Sequence, residues 1–469
     1  MIHPTNWKPT VFFVVYLLSA TFAPAQILTT LFDFDGADGV APKYALLTQG
    51  TDGNFYGTTI AGGNGGVVFQ FTPSGAETVL YSFCSLPNCT DGANPWAGLV
   101  EGSDGNFYGT TFLGGAFGYG TIFKVTPGGV LTTLYSFCAS GLPCVDGAYP
   151  TSPLVQGIDG NFYGTTGGDL AGNVKGTVFK ITPTGMLTTL YNFCAQSGCP
   201  DGVYPFAGLV QASDGNFYGT TAGGGTGGTV FRITPTGTLT TIYDFCTQSN
   251  CTDGTQPMGT LVVGPDGNFY GTTQLGGSTK KLDGQGTVFK ITPTGKLTTL
   301  YRFCEQPIGS FCPDSGLPLV GLTLVSNGYF AGTTSLHPTI FGISPKGKFV
   351  QYTKANNTPA GLLQGTNALL YGMASGGTFN EGTIFSLDVG LAPFIKTMPE
   401  FGPANTSVII LGTNLTGATR VTFNGTAANF TVVSASEITT NVPSGATTGK
   451  VKVTTPNGTL ASNLPFAVK

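Results

Sequence analysis

Asp104-Gly105-Asn106-Phe107-Tyr108-Gly109-Thr110-Thr111 decides the fold, because the same eight residues recur verbatim from Asp52, Asp159, Asp214 and Asp266. Weaker copies start at Asn327 (Asn-Gly-Tyr-Phe-Ala-Gly-Thr-Thr) and Asn367 (Asn-Ala-Leu-Leu-Tyr-Gly-Met-Ala), which makes seven. Their first members lie 40 to 61 residues apart, and self-similarity at such a period marks a propeller or a solenoid. Each full repeat reads as four strands. A short apolar one (Gly98-Leu99-Val100) precedes the Asn-Phe-Tyr-Gly-Thr-Thr strand, then come a Gly-Thr-Val-Phe-Lys-Ile strand at 176–181 and a Leu-Thr-Thr-Leu-Tyr strand at 187–191.

The two ends of the repeat array choose between ring and solenoid. The seventh repeat runs through Gly382-Thr383-Ile384-Phe385-Ser386-Leu387 and stops without a fourth strand, whereas Leu28-Thr29-Thr30-Leu31-Phe32-Asp33-Phe34 is a fourth strand with no repeat before it. Pairing them closes a ring in which no blade keeps an open edge. The sequence therefore predicts an all-β chain in which residues 26–391 form a seven-bladed β-propeller closed by its N-terminal strand. Apolar pairs at period two on the third strands, from Phe69 and Phe71 to Phe385 and Leu387, fit blades stacked face to face.

Composition narrows the partners. With 9% charged residues, 73 Gly, 30 Pro and a formal charge of -4, the 469-residue chain has no Lys/Arg cluster on the scale of a nucleic-acid-binding face. Lys8, the apolar run from Val11 to Leu18 and Ala23-Pro24-Ala25 before Gln26 have the layout of a secretory signal peptide over residues 1–25, too short to span a bilayer. Residue 26 is not Cys, and the end at Lys469 carries no hydrophobic tail. The expectation is a secreted or cell-surface protein with no membrane span in the mature chain.

In an antiparallel meander the turns after the first and third strands share one end, and the connections after the second and fourth share the other. The first end is uniform, with Asp-Gly turns and Pro-x-Gly turns such as Pro183-Thr184-Gly185. The second end varies in length and carries every cysteine: Cys84 with Cys89, Cys138 with Cys144, Cys194 with Cys199, Cys246 with Cys251, and Cys304 with Cys312. An even count, one close pair per connection in an exported chain, reads as local disulfides that stiffen this end. A zinc site would need ligands from several repeats to converge, and His337 is the sole histidine beyond the leader, so neither metal nor cofactor is expected.

Variable loops on a rigid frame are where binding residues concentrate. After the second cysteine the chain reads Cys-x-Asp-Gly-x-x-Pro, placing Asp91, Asp146, Asp201 and Asp253 at equivalent points. These either bind a cation or sugar hydroxyls, or cap the turn into the next strand. Trp96 and Phe206 follow the prolines, with Tyr149 and Tyr204 just before them, and either offer stacking platforms for a sugar or pack between loops.

The repeat, with Gly-Thr-Val-Phe-Lys-Ile-Thr-Pro-Thr-Gly and Leu-Thr-Thr-Leu-Tyr-x-Phe-Cys after the eight-residue core, resembles the GloVer-type tandem repeat of bacterial choice-of-anchor surface proteins over residues 27–390. The resemblance implies export and often a C-terminal attachment module, and assigns no biochemical role. From residue 392 to 469 a new register begins. Val408-Ile409-Ile410-Leu411-Gly412-Thr413-Asn414-Leu415, Val421-Thr422-Phe423-Asn424-Gly425 and Val451-Lys452-Val453 resemble an IPT/TIG immunoglobulin-like domain, and short alternating strands with frequent turn signals agree. Such modules are similar to spacers and adhesive arms.

Two functions follow as expectations. One is a non-enzymatic binding or scaffold protein whose disulfide-stiffened face engages a glycan, a cell-envelope component or a protein. The other is a polysaccharide-acting hydrolase using two of Asp169, Asp283, Glu305 and Glu381, which would have to stand about 5–10 Å apart. A Ser-His-Asp triad has only His337 to draw on.

Overall fold

The computed structural model describes residues 26–469 apart from 43–44, 169–173, 280–283, 306–311, 313, 356 and 358. The leader expected at 1–25 lies outside them, as do Asp169 and Asp283. The described chain is all-β. It has no α-helix, only the 3-10 turns Pro87–Cys89 and Ser249–Cys251, and no helix long and apolar enough to cross a membrane.

Each repeat is one antiparallel four-stranded sheet. The second sheet, with strands Val100–Glu101, Phe107–Thr111, Thr121–Val125 and Leu131–Ser136 in that order, stands for the others. Numbered along the chain, sheets 1 to 6 span residues 48–82, 100–136, 155–192, 210–244, 262–302 and 323–354. Sheet 7 takes three strands from 359–388 and its fourth, Ile27–Asp33, from the N-terminus. Leu28 lies opposite Leu387, and Asp33 opposite Thr383. The predicted pairing of the N-terminal strand with the last strand of the seventh repeat is therefore present.

The eight-residue motif shows why the sheets repeat. Asp104 accepts the backbone N–H of Asn106 through Oδ1, and the Asn106 amide and Tyr108 hydroxyl through Oδ2, fixing the turn and the strand that follows. The turn is wider than a two-residue hairpin: Glu101 pairs with Phe107, leaving five residues between, and the carboxylate holds the extra length together. The ring of Tyr108 stacks on Phe162 of the next sheet at 3.9 Å. Gly109 is glycine because a Cβ there would lie 2.6 Å from the ring of Phe123. Thr58 and Thr165 donate their hydroxyls to Ala97 and Ala207 carbonyls of the following sheets.

Third strands are buried on both faces. Phe123 and Val125 join a cluster shared with sheet 1, while Ile122 joins one shared with sheet 3. The same division holds throughout, so every sheet shares an apolar cluster with the sheets before and after it, and the cluster of Phe34, Ile384 and Tyr371 with Phe55, Phe69 and Phe71 joins sheet 7 to sheet 1. Alternation here separates two neighbours rather than core from water. Beyond Lys396, two sheets of four and five strands pack around Val408, Ile410, Val421, Phe423, Ile438, Val451 and Phe466.

A second circular device lies at the uniform end. The last residue of most first strands is Gln or Glu, and its side chain accepts the backbone N–H two residues into that turn of the preceding sheet. Thr51 donates to Glu101, Ser103 to Gln156, Ile158 to Gln211, Ser326 to Gln364 and, across the closure, Thr366 to Gln49, at 2.8–3.0 Å. Two of the seven positions lack the link: Pro265, which has no N–H, corresponds to the apolar Leu324, and Ser213 corresponds to the apolar Val263.

Candidate functional site

The connections carrying the cysteines form the site region, and all five expected disulfides are present. Cys84 is bonded to Cys89, Cys138 to Cys144, Cys194 to Cys199, Cys246 to Cys251, and Cys304 to Cys312. The second cysteine also anchors its loop through the backbone. The Cys199 carbonyl accepts the N–H groups of Gly202 at 3.0 Å and Gly225 at 2.9 Å, and the Cys89 carbonyl does the same for Gly92 and Gly115. With Cys251, whose carbonyl accepts Gly254 and Gly277, three of the bridges are thereby tied to the neighbouring connection after the second strand.

Beneath each disulfide, the aspartate after the second cysteine points inward. Asp91 accepts the Tyr81 hydroxyl at 2.8 Å and the Ser85 N–H at 2.9 Å. Asp146 does the same for Tyr135 and Ala139, and Asp201 for Tyr191 and Ala195. Asp253 takes Tyr243, and Asp314 takes Tyr301 and Cys304 N–H. The tyrosine ends the fourth-strand motif, Leu-Thr-Thr-Leu-Tyr in three of these repeats, Leu-Thr-Thr-Ile-Tyr at Tyr243 and Glu-Thr-Val-Leu-Tyr at Tyr81, so that motif and the loop motif are two halves of one hydrogen bond.

Burial, then the adjoining carboxylate, pushes the Tyr81, Tyr191 and Tyr243 phenols up to about 12, so each remains a neutral donor. Asp91, Asp146, Asp201 and Asp253 are themselves buried. These contacts reach back to the fourth strand and the start of the loop after it, rather than forward into the turn before the next strand, and draw the carboxylates beneath the loops.

The aromatic candidates divide into two groups. Trp96 stacks on Phe112 at 4.4 Å with 11° between planes, Phe112 meets Tyr149 at 5.1 Å, and Tyr149 meets Tyr119 at 5.4 Å. These four half-buried rings form one array across the loops of sheets 2 and 3. Tyr149 and Tyr119 rest on a small loop core of Cys138, Cys144, Ala148 and Val174, so the disulfide is part of the array's floor. Tyr204 and Phe206 form a separate stacked pair at 5.8 Å, with the Lys175 ammonium 5.9 Å from the Tyr204 ring. Phe206 lies over Gly167, the residue equivalent to Phe112, where a Cβ would stand 2.9 Å from its ring. Exposed Leu86, Leu113, Phe117, Leu142 and Val145 stand on the connections that carry the first array.

Phe112 and Tyr119 escape a reading that compares equivalent positions after proline. The available signal was a change in the residue following the verbatim motif: Ile60, Phe112, Gly167, Ala222 and Gln274 occupy that place.

The acidic candidates do not form a described pair. Glu305 stands on the Cys304–Cys312 connection, where it accepts the Thr279 hydroxyl, and Glu381 stands between the second and third strands of sheet 7, its carbonyl accepting Ala41 N–H. Among the described residues no group of three or more His, Cys, Asp or Glu is placed to hold a metal ion.

Two solved structures with propeller-like likeness place the fold in context. A catalytically inactive variant of virginiamycin B lyase from Staphylococcus aureus, solved with quinupristin, aligns with TM-score 0.54 and 18% identity over 77% of this chain and 99% of its own. An extracellular domain assigned to a hybrid two-component system of B. thetaiotaomicron aligns with TM-score 0.53 and 12% identity, covering 96% of this chain and 60% of that one. At these identities the likeness concerns the fold. No curated protein matches the chain.

The family models agree with the residues that organise the sheets: the Gloeobacter/Verrucomicrobia repeat matches residues 15–171 and 144–339, and the IPT/TIG domain matches residues 393–468. The chain belongs to the Gloeobacter/Verrucomicrobia repeat family and ends in an IPT/TIG domain.

Proposed function

We propose that residues 26–391 form a single seven-bladed ring around a central channel, that residues 392–469 are its immunoglobulin-like appendage, and that the whole is a secreted or cell-surface binding or scaffold protein without catalytic activity. The disulfide-bearing face engages a glycan or protein of the cell envelope. Seven four-stranded sheets, joined in sequence and across the ends by apolar clusters, support the ring. Five disulfides support an oxidising location.

The observation that carries the binding role is the half-buried Trp96–Phe112–Tyr149–Tyr119 array, seated on a disulfide-floored loop whose connections also carry exposed apolar side chains. Rings presented on a rigid frame supply contact area at low entropic cost. Trp96 and Tyr149, with Tyr204 and Phe206 as an outlying pair, are the contact residues of this reading. Asp91, Asp146, Asp201 and Asp253 act beneath them by fixing the loops.

A glycan array probed with the mature protein and with Trp96→Ala and Phe206→Ala variants tests the glycan arm, and cell-envelope extracts tested for retention with the same variants cover a protein partner. Loss of retention with Trp96→Ala is expected. Retention unchanged in both variants refutes the aromatic platform.

A further inference from the structure

The C-terminal domain does not hang from the ring by its linker alone. Ser436 donates its hydroxyl to the Thr51 carbonyl at 2.6 Å, in the first turn of sheet 1. Thr413 and Thr366 hydroxyls meet at 2.5 Å in the matching turn of sheet 7, and Asn463 donates to Gln364 of that sheet's first strand at 3.3 Å. Leu464 packs on the cluster joining sheets 5 and 6. A Cβ on Gly215, in the turn of sheet 4, would stand 3.5 Å from the Lys469 ammonium. The linker is fastened too: Ala392 N–H donates to Ser326 of sheet 6, and its carbonyl accepts from Gln364.

All these points lie at the uniform end, on or beside the first strands, the innermost strands of a propeller blade. Sheet 4 stands across a ring of seven from sheets 1 and 7. One domain that touches the turns of sheets 1, 4 and 7 must cross the axis.

We infer that the immunoglobulin-like domain is a fixed lid over the uniform mouth of the ring, which leaves the disulfide-bearing face as the sole entrance and the sole face of the ring offered to a partner. The inference rests on the closed ring proposed above and turns its binding face from a preference into a necessity. Apart from the Lys469 approach and Glu437, whose charge lies near Glu101 of sheet 2, the contacts are neutral hydroxyls, carboxamides and one leucine, and the Glu437–Glu101 pair is one of like charge, so attachment should persist at high salt, where exposed ion pairs weaken.

A Thr366→Cys/Thr413→Cys variant tests this, because the two hydroxyl oxygens already lie 2.5 Å apart, close to the ~2 Å separation of bonded sulfurs. The expected result is a sixth disulfide, found by alkylation and peptide mapping after oxidative expression, with no loss of thermal stability. Free thiols at both positions in folded protein overturn the inference. Small-angle scattering of the unmodified chain decides the matter if the variant does not fold: one compact particle at low and at 1 M salt supports the lid, and a protruding tail refutes it. Neither readout depends on a ligand, so failure of the lid and failure of the glycan platform are separable.

Discussion

Closure by the N-terminal strand can be measured against an internal standard. Phe34 follows that strand and is fully buried, its N–H donates to Gly382 at 2.9 Å, and its ring meets Phe69 of sheet 1 edge-on at 5.5 Å. Phe83 holds the same place between sheets 1 and 2: fully buried, N–H donated to Gly66 at 2.9 Å, ring edge-on to Phe123 at 4.9 Å. Truncating either to alanine removes a buried ring and leaves a cavity, at a cost of about 3–5 kcal/mol. Equal burial and equal hydrogen bonding demand equal losses, although only one residue is held by a strand from the far end of the chain. In urea, with a slope of about 3 kcal/mol/M, each variant should lower the midpoint by about 1 M or more. A terminal strand that frays in solution leaves Phe34 already in water, and Phe34→Ala then costs little. A loss under about 1 kcal/mol for Phe34→Ala beside a full loss for Phe83→Ala would refute the closed ring.

Glu101 occupies a place where Gln49, Gln156, Gln211 and Gln364 stand in other sheets, and burial, then the neighbouring Asp52 and Glu437 charges, raises its pKa despite hydrogen bonds from Thr51. A carboxyl raised in the folded state contributes fully below its unfolded value near 4.3, and that contribution disappears as pH rises through the folded value. Glu101→Gln should therefore stabilise the ring at pH 7, with the gain shrinking toward pH 4 in urea titrations; a gain that grows in acid contradicts the assignment. Of the two missing links, the one at Pro265 and Leu324 invites a double-mutant cycle: Leu324→Gln alone destabilises, whereas Pro265→Ser/Leu324→Gln restores donor and acceptor together, with a coupling of about 1 kcal/mol. Additive effects would show that the two positions do not communicate.

Much of the architecture was legible because the repeat is verbatim and its punctuation is local. The orphan segment at 28–34 and the truncated seventh repeat needed only counting, and cysteines five to eight residues apart have one economical pairing. The inter-sheet links at the uniform end were not legible. Their acceptor side chains partner backbone N–H groups some 50 residues away, which carry no residue-type signal. The aspartate ring left two readings open for a similar reason: its partner is a tyrosine ten to thirteen residues upstream, itself accounted for as a strand residue. Phe112 and Tyr119 sit in connections that differ from repeat to repeat, where comparison between copies has nothing to compare. The attachment of the last domain uses ordinary hydroxyls and amides and leaves no mark in composition.

The pairing of Ile27 with Asp388 imposes a timetable on biogenesis. At ribosomal rates of about 5–20 residues per second, roughly 20–70 s elapse between synthesis of the first partner and synthesis of the second. Through that interval the earliest segment has no sheet to join, and finished sectors expose unmatched apolar flanks. On the closed ring proposed above, a product truncated before residue 388 would lack that partner strand and be an open arc, with limited proteolysis of such a truncation as the check.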